Sequence, residues 1–521
     1  MKAAQNQKIL VLGSSDESSL GLLLEVCSAL KNEGKQVCLL HRGNPILNLL
    51  PEEQFCLVEW TLENFQSVLK KVQPEAVLPT FTDSQEMHLL LALEKREDFR
   101  STNIIGFSPQ TLSKLNNQTL LAECQLKGDG HSFKYGKRIT FQILRDSVGT
   151  TMIVASTEQM DPWNGQKEES FIFSPTQTLS DVEYQLLRDS SLKIARALHL
   201  VGLCTIDFIL SPNSSDFSVH SLQLGLTKIT ALASQISTFP LPSLMAQLAL
   251  GKKLTELINP VTQTSYASFE PVSDFIATQL LGEDRFALGF SWEESLLRFC
   301  QSSSLGVQSL EQLDDVSLMG KLSHSKNRPF YLLEALRRGY EVKELAELTR
   351  INLFFIDKLR GIVEMERAIM AKRVDKEILK KAKQMGFSDD RIAALWQMER
   401  KELTNFRQQA EIFLRYKGVD GCAGAYNSQP TLYYSSYFGE NELAVEERQP
   451  LLIVTDRILT VTELPDVTKY KKVILVTDQV NPVLPSGIQA DKIYLEPLTA
   501  EYLEALVAAE NVATVWDGRK K

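Results

Sequence analysis

The chain has 521 residues, enough for three or four domains. Hydrophobic residues make up 44% and charged residues 23%, the composition of ordinary globular protein. The net charge of −9 argues against nucleic-acid binding by the chain as a whole. No apolar run is long enough to span a bilayer, and Met1–Gly13 enters a strand pattern without a signal-peptide core, so a cytoplasmic location is expected. The seven cysteines (Cys27, Cys38, Cys56, Cys124, Cys204, Cys300, Cys422) show no CxxC spacing and read as reduced, buried thiols.

Lys8–Gly13 (KILVLG) reads as a buried parallel strand, followed by a helix over Leu20–Glu33. Strands are expected at Gln36–Leu40, Phe55–Glu59 and Ala76–Pro79, with a helix over Thr61–Val72 between the last two. This alternation indicates a Rossmann-like parallel sheet. A dinucleotide fingerprint needs closely spaced glycines after the first strand. Gly13 and Gly21 stand eight apart, with Asp16 and Glu17 between them to repel phosphate. Asn103–Gly106 and Ser108–Cys124 continue as strand and helix, and Leu126–Gly136 as a short loop.

Strands follow at Arg138–Leu144 and Thr150–Thr157, then a periodic helix over Tyr184–Leu200 with a capping-box start at Ser180–Glu183. Thr205–Leu210 is a strand, Pro212–Asp216 a turn, and Val219–Leu226 a second strand. Alternation places Val219, Ser221, Gln223 and Gly225 on one face and His220, Leu222, Leu224 and Leu226 on the other. Ser221 and Gln223, two apart, could address one ligand. Lys228–Ser234 turns into a helix, and Leu241–Leu250 is a helix stopped by Gly251.

From Arg328 to Lys417 glycine becomes sparse and the helical period takes over. Short helices are expected at Tyr331–Arg338, Val342–Thr349, Asn352–Lys372, Lys376–Met385, Asp389–Met398 and Lys401–Phe406. Lys and Arg number 20 here against 14 Asp and Glu, a mildly basic region in an acidic chain. Val342–Ile351 has the look of a helix-turn-helix fragment, but a bundle helix accounts for it as well. The aromatic pairs Phe330-Tyr331 and Phe354-Phe355 read as core or subunit-interface packing. The segment from Val37 then repeats from Val473, with Asn44-Pro45 on Asn481-Pro482, Glu59 on Glu496, and Leu451–Val454 matching the first strand. A second, shorter copy of the first β/α domain is therefore expected at the C-terminal end.

Four stretches resemble the large chain of carbamoyl-phosphate synthetase. They are Ser174–Asp189 (SPTQTLSDVEYQLLRD), Ala267–Phe275 (ASFEPVSDF), Arg328–Gly339 with Ile351–Leu359, and Tyr416–Ala423 with Tyr434–Tyr437. They occur in family order along nearly the whole chain. The resemblance implies an α/β fold with a Rossmann-like pre-ATP-grasp domain at 1–117 and a truncated ATP-grasp domain at 118–265. It further implies a linker with an all-α oligomerisation domain at 266–440 and a second, shortened pre-ATP-grasp domain at 449–521. The family's first half activates bicarbonate with ATP, and its second half phosphorylates carbamate. This chain is expected to lack the second ATP-grasp domain and the allosteric domain.

The resemblance also implies damage to the first half. The stretch Leu121–Gly136 leaves no room for the glycine-rich lid. The family's nucleotide-binding Asp-Arg pair falls on Asn117-Gln118. Its metal ligands fall on Asp207, Ser221 and Gln223, and a second arginine on Lys228. Its substrate loop falls on Asp161–Ser170, with Gln166 in the histidine position and Lys167 in the threonine position. Asp207 alone could remain a metal ligand, or it lines a vestigial pocket. Lys228 could hold an anion or cap a surface turn. Magnesium usually needs one or two carboxylates, and triphosphate chemistry needs cationic clamps and a closing lid. The expectation is a non-catalytic relative acting in assembly or regulation of pyrimidine or arginine precursor synthesis. It would associate with itself or with a carbamoyl-phosphate synthetase through the helical domain. Two alternatives stay open: an ATP-dependent ligase subunit with residual nucleotide binding, for which alone ATP and Mg²⁺ are expected, and a small-metabolite sensor.

Overall fold

The computed structural model describes residues 7–13, 20–41, 55–57, 61–80, 90–92, 102–108, 111, 114, 120, 124, 133–165, 170–302, 310–323, 327–426, 430–443, 449–459, 463–482, 484 and 488–519. The first sheet has strands β1 (Lys8–Leu12), β2 (Gln36–His41), β3 (Phe55–Leu57), β4 (Ala76–Pro79) and β5 (Asn103–Ile104), all parallel, in the order β3-β2-β1-β4-β5. Helix α1 (Leu20–Asn32) buries Leu22, Leu23, Val26 and Leu30. Helix α2 (Leu62–Val72) buries Phe65, Val68, Leu69 and Val72, the spacing of one helical face. The Thr61 side chain caps its first turn by accepting from the Asn64 amide. The helix expected over Ser108–Cys124 lies largely outside the described residues.

The second sheet is antiparallel and seven-stranded, in the order β10-β9-β6-β7-β8-β11-β12. Its strands are β6 (Lys137–Arg145), β7 (Thr151–Gln159), β8 (Phe171–Ser174), β9 (Gly202–Leu210), β10 (Phe217–Leu224), β11 (Ile276–Leu280) and β12 (Phe286–Gly289). The last two lie within the stretch read from sequence as a linker. Helix α3 (Asp181–Ala197) has the expected capping box at Ser180–Glu183 and covers one face through Leu187 and Ile194, against Phe141, Ile206 and Phe208. Helices α4 (Lys228–Ser237) and α5 (Leu241–Ala249) cover the other through Ala231, Leu232 and Met245, against Leu144, Met152 and Leu203. The α4/α5 core runs on into Ile9, Val11 and Leu39 of the first sheet, so the two sheets share buried apolar surface. Gly225 sits at their junction at φ +79°, beside the Thr80 carbonyl, which accepts the Leu226 amide at 2.6 Å. A side chain at position 225 would collide with that carbonyl.

An α-helical region follows: α6 (Trp292–Ser302), α7 (Asp315–Ser323), α8 (Arg328–Arg337), α9 (Val342–Thr349), α10 (Leu353–Ala371), α11 (Lys376–Gln384), α12 (Asp389–Trp396) and α13 (Arg400–Gln409). From α8 on, the helices fall where the sequence periodicity places them; α6 and α7 are additional. Phe355, Ile356, Leu359, Ile362 and Val363 of α10 form the centre of this core. Phe171 and Phe173 of β8 enter the same cluster and tie the second sheet to the bundle.

The third sheet contains β13 (Arg415–Gly418), β14 (Leu432–Ser436), β15 (Leu451–Val454), β16 (Val473–Thr477), β17 (Lys492–Leu495) and β18 (Thr514–Asp517), ordered β13-β14-β17-β16-β15-β18. Helix α14 (Ala500–Ala509) lies between β17 and β18 in sequence. The order β17-β16-β15-β18 repeats β3-β2-β1-β4, and α14 takes the place of α2. Keeping Asn44-Pro45 on Asn481-Pro482 sets Val37 on Ile474, one residue later than the Val473 start. Buried ion pairs seal this sheet to the bundle. Arg298 Nη2 meets Glu496 Oε2 at 2.6 Å, and Lys383 Nζ lies 2.6 Å from Glu501 and 2.8 Å from Asp389. Among the described residues no helix is long and apolar enough to cross a membrane.

Candidate functional site

A polar ladder runs across the α4 side of the second sheet. Cross-strand register sets Thr140 of β6 beside Asp207 of β9, and Asp207 beside Ser221 of β10. Thr140 Oγ1 donates to Asp207 Oδ1 at 2.7 Å, and Ser221 Oγ donates to Asp207 Oδ2 in a short hydrogen bond. Both carboxylate oxygens of Asp207 are thus engaged by neutral hydroxyls from the flanking strands. The next rung holds Gln142, Thr205 and the N-terminal residues of α4. Gln142 Nε2 lies 2.8 Å from Thr205 Oγ1 and 3.1 Å from both Thr227 Oγ1 and Thr230 Oγ1. Gln223 stands opposite Thr205 and is exposed.

The strand alternation expected for Val219–Gly225 is broken by a bulge between Val219 and Ser221. Val219 consequently joins Phe208, Leu222 and Leu224 in the core on the α3 side, while Ser221 and Gln223 stay on the ladder side. The bulged residue, His220, packs against Trp163 with the rings tilted by 52° and 4.3 Å between centroids, and the Arg138 guanidinium lies 5.2 Å from the same indole. His220 and Arg138 belong to the two strands flanking β9, so the buried indole bridges across that strand. Trp163 is fixed by its backbone: its amide donates to the Gly136 carbonyl at 2.9 Å, and its carbonyl accepts the Tyr135 amide at 2.5 Å.

Of the other residues singled out from sequence, Lys228 is the exposed first residue of α4. A cation there opposes the helix dipole, an arrangement of little structural benefit. Asp161 is buried and committed elsewhere: Oδ1 pairs with Arg328 Nη1 at 2.8 Å and Oδ2 accepts from Ser170 Oγ at 2.6 Å. This joins the segment after β7 to the start of α8. Gln118, Gln166 and Lys167 lie outside the described residues. Asp207 and Ser221 are brought into contact, with Gln223 one step along the same strand face; Asp161 sits apart from them in its own ion pair.

Thr140, Gln142 and Thr205 were legible by the same two-apart rule that singles out Ser221 and Gln223, applied to KRITFQILR and GLCTIDFIL. Glu158 carries no such local signal. It is buried and accepts from the Gln177 and Thr178 amides at 2.8 Å each and from the Thr178 hydroxyl, while burial holds its carboxyl above the usual range. Among the described residues no group of three or more His, Cys, Asp or Glu side chains is placed to hold a metal ion.

Residues 113–257 match the carbamoyl-phosphate synthase L chain, ATP binding domain, and residues 284–411 match the carbamoyl-phosphate synthetase large chain, oligomerisation domain. Solved structures that part of the chain resembles include a complete multifunctional pyruvate carboxylase from Rhizobium etli. It is 16% identical with a TM-score of 0.41, over 53% of this chain and 26% of that one. Another is the biotin carboxylase–β-γ-ATP complex from Campylobacter jejuni, 12% identical with a TM-score of 0.40, over 54% of this chain and 76% of that one. The chain spans about a quarter of the length of the pyruvate carboxylase. From its matched ATP-binding and oligomerisation domains, the chain is a carbamoyl-phosphate synthetase large-chain-like ATP-grasp protein.

Proposed function

We propose that this protein is a non-catalytic member of its family, acting in the assembly or regulation of carbamoyl-phosphate-dependent pyrimidine or arginine precursor synthesis. The observation that carries the reading is the state of Asp207, whose two oxygens both accept hydroxyl hydrogen bonds, from Thr140 and Ser221. Mg²⁺ requires near-octahedral oxygen donors and is usually anchored by one or two carboxylates beside substrate phosphates. A single carboxylate already satisfied by two neutral donors, with an exposed amide at Gln223, does not fit an Mg²⁺–triphosphate group. Trp163, packed between Arg138 and His220 on the same part of the sheet, adds apolar bulk where a charged ligand would need polar walls. The oligomerisation domain supports self-association or association with an active synthetase through Arg328–Lys417.

Isothermal calorimetry with ATP, with and without Mg²⁺, tests the first part. No heat at 100 μM nucleotide is expected, and micromolar binding that depends on Mg²⁺ would overturn it in favour of a ligase subunit. Co-elution with a synthetase large chain, or self-association abolished by changes within α8–α13, tests the second. A dilute monomer that ignores the synthetase would overturn it.

A further inference from the structure

The helical region carries two oppositely charged patches side by side. Lys372 and Arg373 follow α10, and Lys376 and Lys380 lie one turn apart on α11; all four are exposed, without an ion pair among the described residues. Asp375, between them, is committed to the α11 cap, where it accepts the Glu377 and Ile378 amides at 2.9 and 3.0 Å. Glu377 and Lys381, four apart on the flank of α11, offset each other. Met370 and Val374, 52% and 47% exposed, sit among these cations. The other patch is acidic. Glu341, Glu344 and Glu347 line α9, and Asp314 precedes α7, again exposed and without ion pairs among the described residues. Lys343 is interspersed, leaving four carboxylates against one ammonium, while Arg350 at the far end of α9 faces the Tyr135 ring. Val316 beside Asp314 is 83% exposed. Arg338 holds Asp315 at 2.8 Å, which brings the start of α7 to the end of α8, three residues before Glu341. The patches adjoin at the same place: Arg337 meets Glu366 at 2.7 Å, and Arg367 donates to the Leu336 carbonyl at 3.2 Å, one turn before Met370.

We propose that these patches form a two-fold contact between two copies of the chain, the basic patch of each copy meeting the acidic patch of the other. This contact rests on the reading that the helical domain assembles, and gives that assembly a surface and a partner. Two observations select a second copy. A two-fold contact needs both halves of a complementary pair close together on one chain, and here they adjoin. Both patches also fall within residues 284–411, the part matched to the oligomerisation domain. A nucleic acid or an anionic membrane, drawn to Lys376 and Lys380, would be repelled by Glu341, Glu344 and Glu347 next to them. Exposed ion pairs are individually weak and screened by salt, so several must act together, and a two-fold axis doubles each one. Met370, Val374 and Val316 add apolar area to be covered, while the charges set partner and register.

The test is a charge swap in the full chain, read by sedimentation velocity across a concentration series. One variant carries Lys376→Glu and Lys380→Glu, the other Glu344→Lys and Glu347→Lys. Each alone should pair roughly 100-fold or more weaker than the unmodified chain, with an unchanged melting temperature, because like charges now face each other. An equimolar mixture of the two should pair again, since the acidic variant meets the basic one. An unchanged mass distribution in either variant, or a mixture that stays monomeric while both variants melt like the unmodified chain, would overturn the proposal. Salt gives a readout that needs no variant: raising NaCl from about 0.05 M to about 0.5 M should weaken pairing roughly tenfold or more. Pairing indifferent to salt would refute this contact while leaving assembly through the helical domain intact. A chain monomeric at every concentration would refute self-association altogether. Monomeric chain held on phosphatidylserine vesicles, and released by Lys376→Glu with Lys380→Glu, would likewise overturn the proposal, assigning the basic patch to a membrane.

Discussion

Arg298 offers the sharpest test of how the third sheet is held. Its side chain is 1% exposed, as is that of Glu496, and the two meet at 2.6 Å. Arg298 Nη1 also donates to the Ser435 carbonyl at 2.6 Å, Ser435 Oγ donates to Glu496 at 2.9 Å, and the guanidinium lies 4.7 Å from the Tyr502 ring centroid. Replacement by methionine keeps much of the volume but leaves Glu496 a buried carboxylate with one hydroxyl partner. Breaking such a pair from one side costs about 3–5 kcal/mol, because the abandoned charge stays desolvated. The double variant Arg298→Met, Glu496→Gln removes both charges and should recover about 2 kcal/mol of that loss. Amide exchange in β14 and β17 is the appropriate assay, because a chain with several domains has no single unfolding free energy. Opening of those strands should become several hundred-fold more frequent in the single variant and less so in the double. A single-variant change below tenfold, or a double variant worse than the single, would refute the reasoning.

Three further outcomes are expected. Burial pushes the Glu294 carboxyl up to about 7 from its ordinary 4.5, so the folded state keeps a proton that the unfolded chain releases. The contribution of Glu294 to stability should fall by about 3 kcal/mol as pH rises from 4.5 to 7 and then level off; Glu294→Gln should remove that part of the pH dependence of amide exchange in α6, and an identical dependence would refute the assignment. Gly225→Ala forces a side chain onto the Thr80 carbonyl at positive φ and should cost at least about 2 kcal/mol, read as a lowered melting temperature; a neutral change would show that the sheet junction relaxes freely. Ser221→Glu sets a second carboxylate beside Asp207, so the variant should melt lower in EDTA and be rescued by millimolar Mg²⁺, with the unmodified chain indifferent to both; equal melting in EDTA and Mg²⁺ would count against the geometry of the ladder.

The helices from α8 to α13 were legible because each carries an apolar face at helical spacing and a stop: Gly339 after α8, Gly386 after α11, Ser388 capping α12. The strand order of the third sheet was implicit in the repeat, since a shared pattern folds to a shared topology. Strands β11 and β12 were not legible. Their residues are five and four long, and they join the second sheet only through the distant β8, a pairing no local signal encodes. At the candidate site, alternation found Ser221 and Gln223 but misplaced Val219, because a bulge adds one residue and reverses the faces beyond it. The resemblance places Asp161 in a vestigial substrate loop and says nothing of its ion pair. Its partner, Arg328, lies far along the chain, and only the tertiary structure brings the pair together.

The repeated strand order has a consequence for how the chain reaches this structure. Two segments of one polypeptide, β1–β4 and β15–β18, share the same four-strand order. What tells them apart is where the next strand is added. The first sheet grows past its fourth strand through β5, whereas the third grows past β17 through β14 and β13. Like sheets within one chain, and in neighbouring chains, compete for strands during folding, so refolding yield should fall as concentration rises.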